Sequence, residues 1–226
     1  MQKLIFGIFA HPDDESFGPS GTILMEAAAG TEVHLISLTM GQNGMNPDAH
    51  DDLGAVRKRE WQQAGVLMGV TSQHDFGYTD GQLSNTDMIE AAERIERLVR
   101  EVAVEREVEV EFMTNDLNGI SGHIDHIVAA RAACLAFYRL KQDDKRLSRI
   151  RLACLPQSRL ARSNIDWLYM EAGRPDEMID EVVDARQYRD KIVEIMRAHH
   201  TQRRDGEQHI ETLGEDLGLN YFYHLS

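Results

Sequence analysis

Residues His11 to Glu15 read His-Pro-Asp-Asp-Glu and place one imidazole and three carboxylates within five consecutive positions. Carboxylates this close repel one another unless a cation lies among them, and one imidazole with one carboxylate is half of a typical catalytic zinc set. Pro12 fixes its own φ and biases His11 toward an extended backbone, so these groups are presented on a stiff turn. A second cluster, Gly-His-Ile-Asp-His-Ile, runs from Gly122 to Ile127 and opens a helix. His123 and His126, three residues apart, then share one helical face. Catalytic zinc takes three protein ligands and keeps a fourth position for water. His11, Asp14 and His126 supply such a set, and a pair of histidines with a carboxylate suits ferrous iron as well as zinc. Each cluster alone has a plainer meaning, because a histidine at a turn is commonly a surface residue and adjacent aspartates after a strand commonly cap a helix. Two such clusters, both at strand-to-helix junctions, together point to a metal centre.

The elements that must position these residues follow from the hydrophobic pattern. Residues 3–10 form a short apolar run suited to a buried parallel strand, and His11 follows at the end where open α/β sheets bind ligands. The pattern predicts a helix over 22–29 closed by Gly30, a strand over 32–39, a Gly-, Asn- and Asp-rich loop over 40–52, and a helix over 53–68 ending at Gly69. A strand near 74–78, a helix over about 86–104, a strand near 108–114, a helix over about 123–138 and a strand near 149–155 continue the alternation. Residues 179–183 then lead into a helix over 185–200. The mixed charges of Glu90 to Glu111 read as the wet face of a helix running into an outer strand. Alternating strands and helices argue for an α/β fold, a mostly parallel sheet covered on both faces.

With 226 residues, no internal repeat and no Pro- or Ser-rich linker, the chain is expected to form one domain over 1–226. A net charge of −14 without a concentrated basic patch argues against a nucleic-acid partner. The apolar run from Leu4 to Ala10 is far below the roughly 20 residues that span a bilayer, and it has neither the basic lead-in nor the cleavage site of a signal peptide. A cytoplasmic protein with no membrane partner is therefore expected. Cys134 and Cys154 sit in apolar surroundings that suit reduced core thiols rather than a disulfide framework.

The phrase Ala-His-Pro-Asp-Asp-Glu at 10–15 resembles the signature of the LmbE-like or PIG-L family of zinc-dependent N-acetylglucosaminyl deacetylases. Gly-His-Ile-Asp-His at 122–126 is similar to that family's second motif, which usually has Pro where this chain has Ile124. Weaker similarities extend to Ser-Gly-Thr-Ile at 20–23, Arg-Lys-Arg-Glu at 57–60, Tyr-Thr-Asp-Gly at 78–81 and Ala-His-His-Thr-Gln at 198–202, while the stretch 140–184 is poorly matched. The resemblance implies a Rossmann-like three-layer fold, zinc on His11, Asp14 and His126, and hydrolysis of an N-acetyl or related N-acyl group on a small amino-sugar substrate by a zinc-bound water. It assigns proton abstraction to Asp13, and oxyanion stabilisation with protonation of the leaving amine to His123. Asp125 is expected to orient His123 and favour its imidazolium. Arg57 and Asp80 are expected to contact the sugar, and Glu15 to be structural. A homo-oligomer is implied by the family alone.

Two rivals remain open at this point. A metal-dependent phosphoesterase would need a second metal, for which Asp13, Glu15 and Asp125 are the available ligands. A non-catalytic sugar- or nucleotide-binding module of Rossmann type would carry GxGxxG after the first strand, where this chain has His-Pro-Asp-Asp.

Overall fold

Leu4 to Ala10 are buried without a break, so the first strand is covered on both faces. The structure, a computed structural model, describes residues 2–160 and 173–226. The chain order is β1 (Gln2–Phe9), a one-turn α1 (Asp14–Phe17), α2 (Ser20–Ala28), β2 (Glu32–Thr39), α3 (Leu53–Met68), β3 (Ser72–Tyr78) and α4 (Asn85–Val102). It continues with β4 (Val108–Asn115), a kinked single turn α5 (Gly119–Gly122), α6 (Ile124–Lys141), β5 (Leu147–Cys154) and a one-turn α7 (Gln157–Leu160). After the undescribed residues come β6 (Glu181–Asp184), α8 (Arg189–Ala198), α9 (Arg203–Leu213) and β7 (Leu219–Leu225).

Among the described residues the sheet runs β3-β2-β1-β4-β5-β7-β6. β1 to β5 are mutually parallel, and β7 is antiparallel to both β5 and β6. The chain steps outward from β1 through β2 to β3 and then crosses back to place β4 on the other side of β1. The carboxyl end of β1 is therefore the switch point at which such sheets bind ligands. Period-two alternation splits the core into two layers. Leu4, Phe6 and Ile8 pack with Ala91, Ile95 and Val99 of α4 and Ala129, Ala133 and Phe137 of α6. Ile5 and Phe9 pack with Ile23 of α2, Trp61, Ala64 and Met68 of α3 and Ile195 of α8. This is the expected three-layer α/β architecture with a mostly parallel sheet.

Local chemistry accounts for the helix limits. The Asp52 carboxylate accepts Ala55 N at 2.9 Å to start α3, and Gly69 ends it at φ 76°. A capping box between Ser84 and Asp87 starts α4. The helix predicted over 185–200 begins later, at Arg189, and the pattern predicts no element beyond His200, where α9 and β7 lie. β7 escapes the pattern because Phe222 alone among its residues is fully buried, so it lacks the apolar run of the inner strands. Of the poorly matched stretch 140–184, residues 161–172 lie outside the described residues.

The outer strand expected near Glu111 is a correction. β4 lies between β1 and β5, and Glu111 is only 2% exposed. Val108, Val110 and Phe112 face α4 and α6, while Glu111 turns to the other face and meets Arg149 Nε at 3.1 Å and Arg151 Nε at 3.3 Å. Arginines from β5 neutralise the charge that made this segment look external. Burial pushes the thiols of Cys134 and Cys154 up to about 11 and about 12, which leaves no ready thiolate in either. Among the described residues no helix is long and apolar enough to cross a membrane.

His34, on β2, is buried, stacks on Phe6 with ring centroids 5.1 Å apart, and its Nδ1 lies 2.7 Å from Ser72 Oγ. Burial, and then the neighbouring His74, push its pKa from 6.5 down to about 4. The unfolded chain therefore takes up a proton before the native one, so stability is complete above pH 6.5 and is lost as the pH falls toward 4. His34→Gln keeps a neutral hydrogen-bonding group and should flatten the fall in stability between pH 6.5 and 4 by about 2–3 kcal/mol. Urea denaturation at stepped pH checks this, and an unaltered acid limb would exclude His34 as its origin.

Candidate active site

The site is assembled from the loops that leave the carboxyl ends of neighbouring strands. His11 follows β1, the Gly41–Asn43 loop follows β2, Asp80 follows β3, and the turn containing Gly119 and the start of α6 follow β4. Glycine is required at position 41, where φ is +60° and a Cβ would collide with the Arg57 guanidinium.

His11 is held from both sides. Its Nε2 lies 3.0 Å from Asp80 Oδ1 and 3.3 Å from Asp125 Oδ2, so this nitrogen carries a proton and donates it. Its Nδ1 lies 3.1 Å from His126 Nε2 and 3.8 Å from Asp14 Oδ2. His126 is fixed the same way, with Nδ1 donating to the Gly119 carbonyl at 3.0 Å and Nε2 lying 3.2 Å from Asp14 Oδ1. Asp14 Oδ2 accepts from the backbone N of Ala10 at 3.0 Å and of His11 at 3.1 Å. Each imidazole thus turns its second nitrogen toward the other and toward a carboxylate. That arrangement is repulsive unless a proton or a cation lies at its centre, and it is what three ligands of a divalent ion look like.

The electrostatics agree. Burial would lower the pKa of His11, but Asp125, Asp14 and Asp80 push it well above its usual value. Burial opposes the charge on His126 as well, and Asp14 raises it. Burial would raise the pKa of Asp14, yet His126 and His11 hold it well below the carboxylate range. The pocket is therefore built to keep positive charge among these three side chains.

Asp13, next in the chain, has φ 146° and ψ −28°, a conformation rare for a side-chain-bearing residue and of the kind found at functional sites. Its carbonyl accepts from the N of Ser16 at 2.8 Å and of Phe17 at 2.7 Å, and its Oδ2 accepts from Arg57 Nη2 at 2.8 Å. Burial lifts its pKa to about 6 against the pull of Arg57, close to neutrality for proton transfer.

His123 is the N-cap of α6, its Nδ1 accepting from Asp125 N at 3.2 Å, which leaves Nε2 as its donor. Its ring centroid is 5.0 Å from that of His11 and 4.9 Å from that of His126, so it borders the same centre. Asp125 was expected to hold His123, but its carboxylate is on His11 Nε2 and accepts from the N of Gly81 at 2.7 Å and of Leu83 at 3.2 Å. Burial and the two neighbouring histidines lower the pKa of His123, against the weaker pull of Asp125, so the support expected for its imidazolium from a hydrogen-bonding Asp125 is not found.

Arg57 and Asp80, expected as sugar contacts, are both bonded within the protein. Arg57 is 5% exposed and donates to the carbonyls of Gly41 at 3.1 Å and Pro12 at 3.0 Å as well as to Asp13. Asp80 holds His11 and accepts from Asn43 N at 3.1 Å. Both serve the scaffold because buried charges need inward partners. Glu15 is buried, accepts from Ser16 Oγ at 2.7 Å, and is pushed by burial up to about 8. Ser16 Oγ in turn lies 2.9 Å from His199 Nε2, a contact across 183 positions that local pattern does not reveal. Ile124 is exposed, so the departure from Pro there removes no ligand.

Residues 6–137 match the profile of a family described as PIG-L, GlcNAc-PI de-N-acetylase. A 1D-myo-inositol 2-acetamido-2-deoxy-alpha-D-glucopyranoside deacetylase of Thermomonospora curvata is 30% identical over 247 residues, covering 89% of this chain and 80% of the relative. The solved N,N'-diacetylchitobiose deacetylase of Pyrococcus horikoshii superposes with a TM-score of 0.70 at 19% identity, over 99% of this chain and 84% of that one. A 4-carboxy-2-hydroxymuconate hydratase of Pseudomonas putida KT2440 reaches a TM-score of 0.68 at 14% identity, over 100% and 97% of the two chains. The fold is thus common to more than one chemistry, and the side chains must carry the functional argument.

Replacing Arg57 tests its place in the scaffold. Arg57→Ala leaves Asp13 and the Pro12 carbonyl without their partner in a buried setting and should cost about 3–5 kcal/mol of folding stability. A cost within about 0.5 kcal/mol in denaturant titration is what a surface residue would give, and would return Arg57 to the sugar.

Proposed function

The chain belongs to the PIG-L, GlcNAc-PI de-N-acetylase family, and from that premise we propose that it hydrolyses the N-acetyl or a related N-acyl group of a small amino-sugar derivative. We further propose that His11, Asp14 and His126 hold a zinc ion. The observation that carries this reading is the pair of imidazole nitrogens, His11 Nδ1 and His126 Nε2, 3.1 Å apart and beside the Asp14 carboxylate. A divalent ion bound there lowers the pKa of water toward about 7 and polarises an amide carbonyl.

This chain's own residues supply the rest. The Asp13 carboxylate, lifted to about 6, accepts the proton of the attacking water and is held in place by Arg57. His123 donates from Nε2 to the amide oxygen as charge builds on it, since its Nδ1 is engaged by the helix start. The proton collected on Asp13 then passes to the departing amine, which leaves the carboxylate ready for another turnover. This route needs no charged His123.

The groups that a second metal would require are engaged elsewhere. Asp13 is on Arg57, Glu15 is on Ser16, and Asp125 is on His11 and two backbone amides. This favours amide over phosphoester hydrolysis.

Zinc-loaded protein given N-acetylated amino sugars should release primary amine, and a chelator should abolish the release. Release of phosphate from sugar phosphates, with two metals bound and no amine formed, would overturn the reading. Among variants, His126→Ala should lose stoichiometric zinc, whereas Asp13→Asn should keep zinc and lose at least about 10²-fold in turnover. Metal content by elemental analysis separates the two, and full zinc in His126→Ala would remove it from the ligand set.

A further inference from the structure

Between β4 and α6 the backbone does something no other segment of the site does. Gly119 and Ile120 are consecutive residues at positive φ, 73° and 62°. Ile120 has φ 62° and ψ −64°, the dihedrals of the rare γ-turn that a β-branched residue adopts under strain. Gly119 admits no side chain, because a Cβ would lie 2.9 Å from Ile127 Cγ1 and 3.2 Å from His126 Cβ. Two bonds pin the turn, from Gly119 N to the Asp116 carbonyl at 2.7 Å and from Ile120 N to Asn118 Oδ1 at 2.9 Å. The outcome is that the Gly119 carbonyl, between these residues, points at His126 Nδ1 from 3.0 Å.

We propose that the Asp116–Gly122 loop is a positioning device for His126, in which the strained Gly119–Ile120 turn aims one carbonyl so that Nδ1 carries the proton and Nε2 faces His11 and Asp14. An imidazole with an unsatisfied Nδ1 is free to take either tautomer and to rotate, and only one of these presents a lone pair to the centre. The α6 helix alone sets where the ring begins and not which nitrogen is bare. Asn118 and Gly119 are thus positioning residues, and strain at Ile120 is tolerated because the turn delivers the carbonyl. This inference rests on the metal-centre reading for its purpose and on the turn geometry for its content.

The test uses the full chain without metal, labelled with 15N-histidine and observed by NMR at a pH where the ring is neutral. Unsubstituted protein should show His126 as the single Nδ1–H tautomer. Gly119→Ala, which pushes the turn off α6, should give a mixture of tautomers and weaken zinc affinity about 10–100-fold in chelator competition. Asn118→Ala removes the pin on Ile120 N and introduces no contact with α6, so it is the milder of the two variants, and it should shift both readouts in the same direction. A single Nδ1–H tautomer with unweakened zinc binding in either folded variant overturns the proposal. If unsubstituted protein binds no zinc, the metal reading fails, while the tautomer measurement still decides whether the turn sets the ring.

Discussion

The site depends on one constraint, that His11 has different partners on its two ring nitrogens. Nε2 faces Asp80 and Asp125, which oblige it to carry the proton, and Nδ1 is thereby left bare toward His126 and Asp14. The other tautomer would turn an N–H to the centre, and a flipped ring a C–H, in place of the lone pair. Two carboxylates on the outer nitrogen make either alternative costly, and they raise the basicity of the inner one. His126 obeys the same logic with a backbone carbonyl in place of the carboxylates.

Meeting that constraint determines much of the surrounding architecture. Asp80 reaches His11 from beyond β3, and Asp125 reaches it from the first turn of α6, so the loops after three strands must close on one ring. Asp80 is steadied by Asn43 and Asp125 by the amides of Gly81 and Leu83, which ties the loop after β2 to the loop after β3. Parallel strands are what allow this, because all their carboxyl ends lie on the same edge of the sheet. The apolar layers beneath hold that edge rigid. A displacement of a few tenths of an ångström in β1 relative to β4 would change the 3.1 Å separation on which the centre is built.

Much of this was legible before any coordinates. The run from Leu4 to Ala10, the glycines at 30 and 69 and the apolar periodicity of residues 53–68 mark their elements because each rests on local chemistry. The sequence offers His11, Asp14 and His126 as a candidate set, because clustered carboxylates and imidazoles at strand ends have few other uses, and the structure brings the three side chains together. What could not be read depends on contacts distant in sequence. Glu111 looks external until Arg149 and Arg151 are seen beside it. Asp125 looks like the partner of its neighbour His123, but spatially it belongs to His11, 114 positions away. Arg57 and Asp80 look like free charges because a sequence does not show that Asp13, Gly41 and Asn43 already occupy them.

The same inward pairing bears on specificity. Arg57 and Asp80, 5% and 7% exposed, are bonded within the protein, although the buried Nε of Arg57 has no partner there. On the proposed reading, contacts to the distal part of a substrate fall to elements that do not hold His11 and Asp13. The exposed part of the loop after β2, from Gly44 to Ala49, and the exposed Ile124 at the mouth of α6 are such elements. Gly44 alone stays tied to the site, since its N donates to the Gly41 carbonyl at 3.1 Å and a Cβ there would lie 3.0 Å from Arg57 Nη1, whereas Asn46 and Asp48 bond to His50 and Arg203. A fold organised this way allows one centre to stay constant while its rim varies, and the relative and the structural neighbour of this chain are named for different substrates.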